Sequence, residues 1–253
     1  MDLSIRKSDL LRELQFFQGV IERKNTIPIL ANVLVEAGSD DVINLLATDL
    51  ELGLRSQCKA SVKKQGTLTL PAKKLFEIVR ELPETDIRIK QDGDKDQVTI
   101  TADQFRSKIQ TLPKTDFPTV PTPPGTNQVS LPRDELHLMI SRTQFAITGE
   151  DTRYFLNGAL FVLKTNSMDL VATDGHRLAL ATTPRESKET EESRTIFPKK
   201  TLIELSKLLA DSESKDILYE CGEAHLFFKV DGRELISRMI DAQFPAFERV
   251  IPK

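Results

Sequence analysis

The amino-acid sequence repeats itself at a distance of about half its length. The pentapeptide LLATD, which ends at Asp49, returns as LVATD, which ends at Asp174, 125 positions later. The pair Phe117-Pro118 returns as Phe244-Pro245 at an offset of 127. A nearly constant offset over most of a 253-residue chain indicates two copies of one domain. We therefore predict domain 1 at residues 1–121, a proline-rich linker at 122–128 and domain 2 at 129–253.

A shorter pattern lies inside each copy. Apolar residues spaced three and four positions apart predict helices from Ser8 to Arg23, from Pro71, from near Arg133 and from Pro198. A short alternating strand precedes each helix, and strand-like runs broken by Asp, Gly and Ser follow it. Because turns and not helices join these strands, we expect antiparallel sheets. The sequence thus predicts an α+β fold of two repeated domains, each with two helices packed on antiparallel sheets.

The composition excludes several classes of protein. A net charge of −3 excludes a chain that is basic throughout and coats nucleic acid. No apolar run approaches the roughly 18 residues of a membrane span, and charges interrupt the N-terminal stretch where a signal peptide needs its apolar segment. We expect a cytoplasmic protein that does not bind membranes. Cys58 and Cys221 are far apart and in no metal-binding spacing, so neither a disulfide framework nor a zinc site is indicated.

Catalytic motifs are scarce. The closest two glycines, Gly149 and Gly158, are nine positions apart, which excludes both GxGxxG and the Walker loop, and the histidines lack metal-binding spacing. We expect no metal and no cofactor. In ATDGHR, Asp174 and His176 could be read as an orienting carboxylate and a catalytic base. Asp49 occupies the same place in the first copy without a following Gly-His, which favours a strand-end turn in both copies. The Gly-His-Arg of the second copy is then either a plain turn or a recognition surface.

Two helices begin with pairs of lysines. Lys73 and Lys74 lie in the first turn of one helix and Lys199 and Lys200 in the first turn of another, where the helix dipole disfavours cations. A phosphate backbone at these positions would explain the pairs, and a solvated charged face is the alternative. With 6% aromatic residues and no tryptophan, the chain is a poor candidate for stacking on single-stranded bases, so duplex DNA is the better ligand.

Seven segments, in order and spacing, resemble one known family. They are TIPILANVL (26–34), ATDLE (47–51), LPAKKLFEIVRELP (70–83), TDFP (115–118), RYFLNGALF (153–161), VATDGHRLA (171–179) and FPAFERVIPK (244–253). The chain resembles the bacterial DNA polymerase sliding clamp, the β subunit of the replicative polymerase, over its whole length. The resemblance implies a processivity factor for DNA replication, a ring that encircles duplex DNA and tethers the polymerase. It also implies that the protein has no catalysis of its own, and that its partners include a clamp loader and other proteins with clamp-binding motifs.

The resemblance assigns residues to two surfaces. It implies DNA contacts at Lys24, Lys73, Tyr154 and Lys200. Glu150 stands where the family often has glutamine, and a carboxylate there would repel phosphate. A groove for client peptides is implied at Leu156, Thr173, Gly175, His176, Arg177, Leu178, Pro245, Arg249 and Val250.

One difference from the family concerns its third domain. Family members carry three such domains and form ring homodimers, whereas the sequence ends with the second repeat, so we expect a truncated two-domain form. Two chains of this kind supply four domains, too few for a six-domain ring, and we expect a monomer. A closed trimer with head-to-tail contacts is the rival expectation. The alternative function is a duplex-DNA-binding module that never forms a ring.

Overall fold

The chain folds into two compact units of similar construction. The computed structural model describes residues 1–21, 26–91, 93, 96–149, 151–185 and 192–251. Unit 1 contains Met1–Thr122 and Gly232–Leu235, and unit 2 contains Pro123–Asp231 and Ile236–Lys253. The described part of each unit has two α-helices and antiparallel strand pairs, which confirms the predicted α+β class.

Unit 1 contains strands β1 to β9 and helices α1 and α2. The strands are β1 Asp2–Arg6, β2 Asn32–Ala37, β3 Val42–Thr48, β4 Leu52–Lys59, β5 Ser61–Lys64, β6 Gly66–Pro71, β7 Asp86–Gln91, β8 Gln97–Ala102 and β9 Phe105–Gln110. The helices are α1 Lys7–Val20 and α2 Ala72–Glu81. One sheet has the order β5-β1-β7-β8-β9, and in a second group β3 pairs with β4 and β2, and β2 pairs with β6.

Unit 2 contains strands β10 to β17 and helices α3 and α4. The strands are β10 Gln128–Pro132, β11 Gly158–Leu163, β12 Ser167–Thr173, β13 Leu178–Pro184, β14 Ser193–Pro198, β15 Asp216–Cys221, β16 His225–Val230 and β17 Arg233–Arg238, the first residues of which cluster with unit 1. The helices are α3 Arg133–Thr143 and α4 Lys199–Asp211. A four-stranded sheet has the order β13-β12-β11-β14, and β15 pairs with β10 and β16.

A proline marks three of the four junctions between strand and helix. Pro71, Pro132 and Pro198 each end a strand, and the following residue begins α2, α3 or α4. Proline has no N–H to donate to a further strand pair, and its φ is close to the helical value, so the chain passes from strand to helix without a loop. At the first junction Arg6 takes this place.

Helix α1 ends earlier than the sequence pattern predicted. We expected helix to Arg23, but α1 ends at Val20, and Ile21 is already extended with φ −76° and ψ 122°. Glycine and two β-branched residues in succession, Gly19-Val20-Ile21, weaken the helix at this point. Arg23 itself lies outside the described residues.

Each unit is held together by apolar side chains between its helices and sheets. Helix α1 packs against α2, and α3 packs against α4. The largest group of rings lies in unit 2, where Tyr219 is within 6 Å of Phe161, Phe197 and Phe228, centroid to centroid. Burying one such ring stabilises the fold by roughly 1.5–3 kcal/mol, so this cluster is a principal element of the unit 2 core.

Candidate functional site: a groove in unit 2

The turn between β12 and β13 is built from its own Thr and Asp side chains. The Thr173 hydroxyl donates to the Arg177 carbonyl at 2.7 Å and accepts the Gly175 N–H at 3.1 Å. One carboxylate oxygen of Asp174 accepts the backbone N–H groups of His176 and Arg177, each at 3.0 Å. These backbone bonds, first from Arg177 and then from His176, lower the pKa of Asp174 to about 2. Asp174 therefore closes the turn through the His176 backbone.

Gly175 is required at its position for two reasons. Its φ of +89° lies in the region that L side chains rarely adopt. A Cβ placed on it would also lie 3.1 Å from the Arg153 Nη1 atom. The absence of a side chain leaves the floor of a cavity open.

Two arginines beside this floor are held in fixed positions by aspartates. Arg177 donates from Nε to Asp174 at 2.9 Å and from Nη2 to the Phe145 carbonyl at 2.8 Å, and its guanidinium lies 5.4 Å from the centroid of the Phe145 ring. Arg153 binds Asp151 through two bonds of 3.0 and 2.8 Å. This bidentate pair is the main cause that lowers the pKa of Asp151 to about 2.

The turn, these arginines and the C-terminal segment enclose a cavity of about 540 Å³. Eight of the nine residues predicted for the peptide groove line it together: Leu156, Thr173, Gly175, His176, Arg177, Leu178, Pro245 and Val250. Arg249 is not among the lining residues. It belongs to a 3-10 helix, Phe247–Arg249, on which Phe247 is buried and Arg249 is exposed.

Four lining residues were not predicted: Arg153, Phe155, Ala246 and Phe247. All four lie within the segments RYFLNGALF and FPAFERVIPK, one to three positions from predicted groove residues. Their neighbours in sequence were the available signal, but spacing alone could not show which side chains of a 3-10 turn face a cavity.

An apolar cluster beneath the cavity fixes its walls. Phe247 is buried against Leu160, Val162, Val171 and Ile196, and Phe155, Leu178, Ile240 and Phe244 pack on the same cluster. The Phe155 and Phe244 rings meet edge to face at 6.5 Å. The groove is therefore formed in advance by the core of unit 2, which suits recognition of an apolar peptide side chain.

Comparison with known proteins decides the family. The family model for the N-terminal domain of the DNA polymerase III beta subunit matches residues 1–121, and the model for its central domain matches residues 130–246. The chain belongs to the beta sliding clamp family. Its function is that of a sliding clamp in DNA replication.

Individual clamps agree over the whole chain. Beta sliding clamps of Pseudomonas putida and Caulobacter vibrioides are 35% and 36% identical to it, and all of this chain aligns with 68% and 69% of theirs. Crystal structures of the clamps from Pseudomonas aeruginosa and Caulobacter crescentus superpose with TM-scores of 0.92 and 0.93, at 33% and 35% identity, over 100% of this chain and 68% and 69% of those chains.

The residues that the clamp resemblance assigned to DNA are surface residues where the structure describes them. Lys73 lies in the first turn of α2 with its side chain 73% exposed, and its Nζ is 3.9 Å from Glu77. Tyr154 is 74% exposed, and Lys200 is half-buried in the first turn of α4. Lys24 and Glu150 lie outside the described residues.

One lysine of the α4 pair has a partner within the protein. Lys199 donates from Nζ to the Ile147 carbonyl at 3.0 Å, so it ties the helix to the segment before the groove. This contact accounts for one of the lysines at the positive end of the α4 dipole without any ligand, because a backbone carbonyl takes the ammonium.

Two absences concern the described residues only. They contain no group of three or more His, Cys, Asp or Glu side chains placed to hold a metal ion. None of their helices has the length and apolar character needed to cross a membrane.

Proposed function

We propose that this clamp binds client proteins through the groove of unit 2, which accepts an apolar side chain of a client peptide. The observation that carries the proposal is the preformed cavity above Gly175, with apolar walls from Leu178 and Val250 and fixed arginines beside them. Val250 is 68% exposed, so its side chain is accessible to a ligand. The partners we expect are the replicative polymerase, the clamp loader and other proteins with a clamp-binding motif.

The test is a titration with a short peptide that has a glutamine followed by spaced leucine and aromatic residues. Leu178→Ala should weaken binding about tenfold, because removing an anchor contact costs more than 1 kcal/mol. Leu180→Ala is the matched control: Leu180 lies on the same strand, is 40% exposed and does not line the cavity. Equal affinities of the two variants, or amide shifts confined to residues far from His176, would contradict the groove.

We also propose that Lys24, Lys73, Tyr154 and Lys200 contact duplex DNA without reading its sequence. Support comes from the exposure of Lys73 and Tyr154 and from lysines at repeat-related helix starts. Each lysine that meets a phosphate should add about 0.9 to the slope of log affinity against log salt. The slope should shrink in Lys73→Ala and Lys200→Ala but stay unchanged in Lys108→Ala, an exposed lysine on β9. An unchanged slope in all three would contradict these contacts.

The clamp acts, on this proposal, without catalysis and in the cytoplasm. Asp174 accepts the His176 backbone N–H within the turn, as expected for a structural carboxylate. A turnover reaction that Asp174→Asn abolishes would contradict this view.

Domain boundaries at 121 and 129 and a monomeric 253-residue chain stay predictions. Light scattering tests the second, and a stable mass of three chains that is retained on circular DNA would contradict it.

A further inference from the structure

Strand β14 lies at an edge of the four-stranded sheet of unit 2. It pairs with β11 on one side, and its Ile196 carbonyl accepts the Ile240 N–H at 3.2 Å on the other. In an antiparallel ladder the backbone groups of alternate residues point to the same side. Arg194, two positions before Ile196, therefore directs its N–H and carbonyl to the outer edge. Among the described residues, Ile196–Ile240 is the one isolated bridge on this edge.

A second cavity of about 320 Å³ opens beside this edge. Its apolar wall includes Leu160, Ile196, Ile240 and Phe244, which belong to the cluster that also carries the groove. The Phe155–Phe244 ring pair joins the two sites, because Phe155 lines the groove and Phe244 lines the second cavity. A polypeptide that leaves the groove over this ring pair would reach the edge of β14.

Carboxylates outnumber cations around the second cavity. Asp241 lines it and is exposed. Arg194, the cation of the lining, is paired with Glu192 at 2.6 Å and with Glu248 at 3.0 Å. Lys164, whose charge also helps to lower the pKa of Glu248, is itself paired with Asp169 at 2.6 Å. Three carboxylates around one guanidinium therefore leave this rim negative, and a basic partner complements it.

We propose that the outer edge of β14 and the adjoining cavity form a second docking site, for an extended basic segment that flanks a client peptide in the groove. The segment pairs with the backbone N–H and carbonyl of Arg194, in the manner of an added strand. One of its apolar side chains fills the cavity, and its lysines or arginines face Asp241 and Glu248. This inference rests on the proposed groove, since the segment continues from the peptide bound there.

The experiment compares five peptides on the intact chain. The first is the short groove peptide. The other four extend it by four residues, at its N-terminal or its C-terminal end, in which valine alternates with lysine or with glutamate. The lysine extension at one end should raise affinity about tenfold, which corresponds to two added net hydrogen bonds. The gain should shrink as salt rises, and the glutamate extension should give none.

Two variants at one position separate backbone from side chain. Arg194→Pro removes the outward N–H and leaves the β11 ladder intact, so the gain from the extension should be lost while the short peptide binds as before. Both variants lose the ion pairs of Arg194 with Glu192 and Glu248. Arg194→Ala keeps the backbone N–H, so the affinity gained from the lysine extension should be retained or increased. Equal affinities of short and extended peptides, or an undiminished gain in Arg194→Pro, would overturn the second site. Failure of the short peptide to bind would instead overturn the groove.

Discussion

The turns after β3 and after β12 have the same backbone and different uses. Thr48 donates to the Leu52 carbonyl at 2.9 Å and accepts the Leu50 N–H at 3.0 Å, as Thr173 does with Arg177 and Gly175. Asp49, like Asp174, accepts two backbone N–H groups, in this case at 2.9 and 2.6 Å. The Thr-Asp pair therefore fixes the turn, whatever residues follow it.

The residues after aspartate determine what the turn does. In unit 1 the fourth residue past threonine is Leu52, which is 2% exposed and part of the core, whereas its counterpart Arg177 has a side chain 59% exposed at the groove. Leu50 adopts φ +80°, where Gly175 adopts +89°. In unit 1 the turn thus contributes Leu52 to the core and holds Leu50 at a strained φ. In unit 2 Gly175 leaves the floor of the cavity open. The second copy differs from the first by three residues, Gly175-His176-Arg177, on an otherwise shared turn.

The largest expected effect comes from the segment that closes the groove. Phe247 stands 127 positions after the buried Val120, and it carries the groove wall on the unit 2 core. Phe247→Ala should lower the free energy of unfolding of unit 2 by about 3 kcal/mol, since it leaves a cavity among packed side chains. Urea unfolding measures this loss. Phe247→Leu is the control and should cost less than about 1.5 kcal/mol. Similar losses in both variants would show that the ring does not anchor the wall.

Gly175→Leu places the residue of the first turn, Leu50, at the positive-φ position of the second. The strained φ should lower the free energy of unfolding by about 1–2 kcal/mol. The new side chain, directed at Arg153, should abolish binding of the groove peptide. Calorimetry with the peptide and thermal unfolding measure the two effects. A variant that folds normally and still binds would show that the open floor is not needed.

The two aspartates beside the groove should make its stability depend on pH below about 4. Both have pKa values lowered to about 2 from 3.8, so each adds stability that is complete above pH 3.8 and disappears as the pH falls toward 2. Carboxyl chemical shifts of Asp151 and Asp174 in a pH titration measure the two pKa values. Asp174→Asn should flatten the fall in stability below pH 4. A midpoint near 4 for either carboxyl would contradict the bonds that hold the arginines.

The smallest effect is expected from the reverse exchange in unit 1. Leu50→Gly relieves a positive φ, worth about 1–2 kcal/mol, and loses about 0.5–1 kcal/mol to the greater freedom of glycine in the unfolded chain. A net stabilisation of about 0.5 kcal/mol should result. Leu50→Ala, which keeps the strain, is the control and should not stabilise. A destabilised glycine variant would show that the Leu50 side chain, 52% exposed, has a packing role.

Much of this arrangement could be predicted from sequence, for physical reasons. The repeat placed Asp49 and Asp174 in equivalent turns, because a side chain that caps its own turn works in any context. Prolines at the ends of strands located the helix starts. The burial of Phe247 and the tie from Lys199 to Ile147 were not predictable, since both depend on which face of a short segment meets the core. The exposed position of Arg249, outside the lining of the cavity, depends on the same choice of face.

The placement of tyrosines gives the protein an optical asymmetry. The chain has two tyrosines and no tryptophan, and both tyrosines belong to unit 2. Tyr154 is in solvent, next to groove-lining Arg153 and Phe155, while Tyr219 sits inside the ring cluster of the core. Tyrosine fluorescence excited near 280 nm therefore reports on unit 2 alone, because unit 1 has neither tyrosine nor tryptophan. A melt followed by fluorescence and by far-ultraviolet circular dichroism would show, without any label, whether the two repeats unfold in one step or in two.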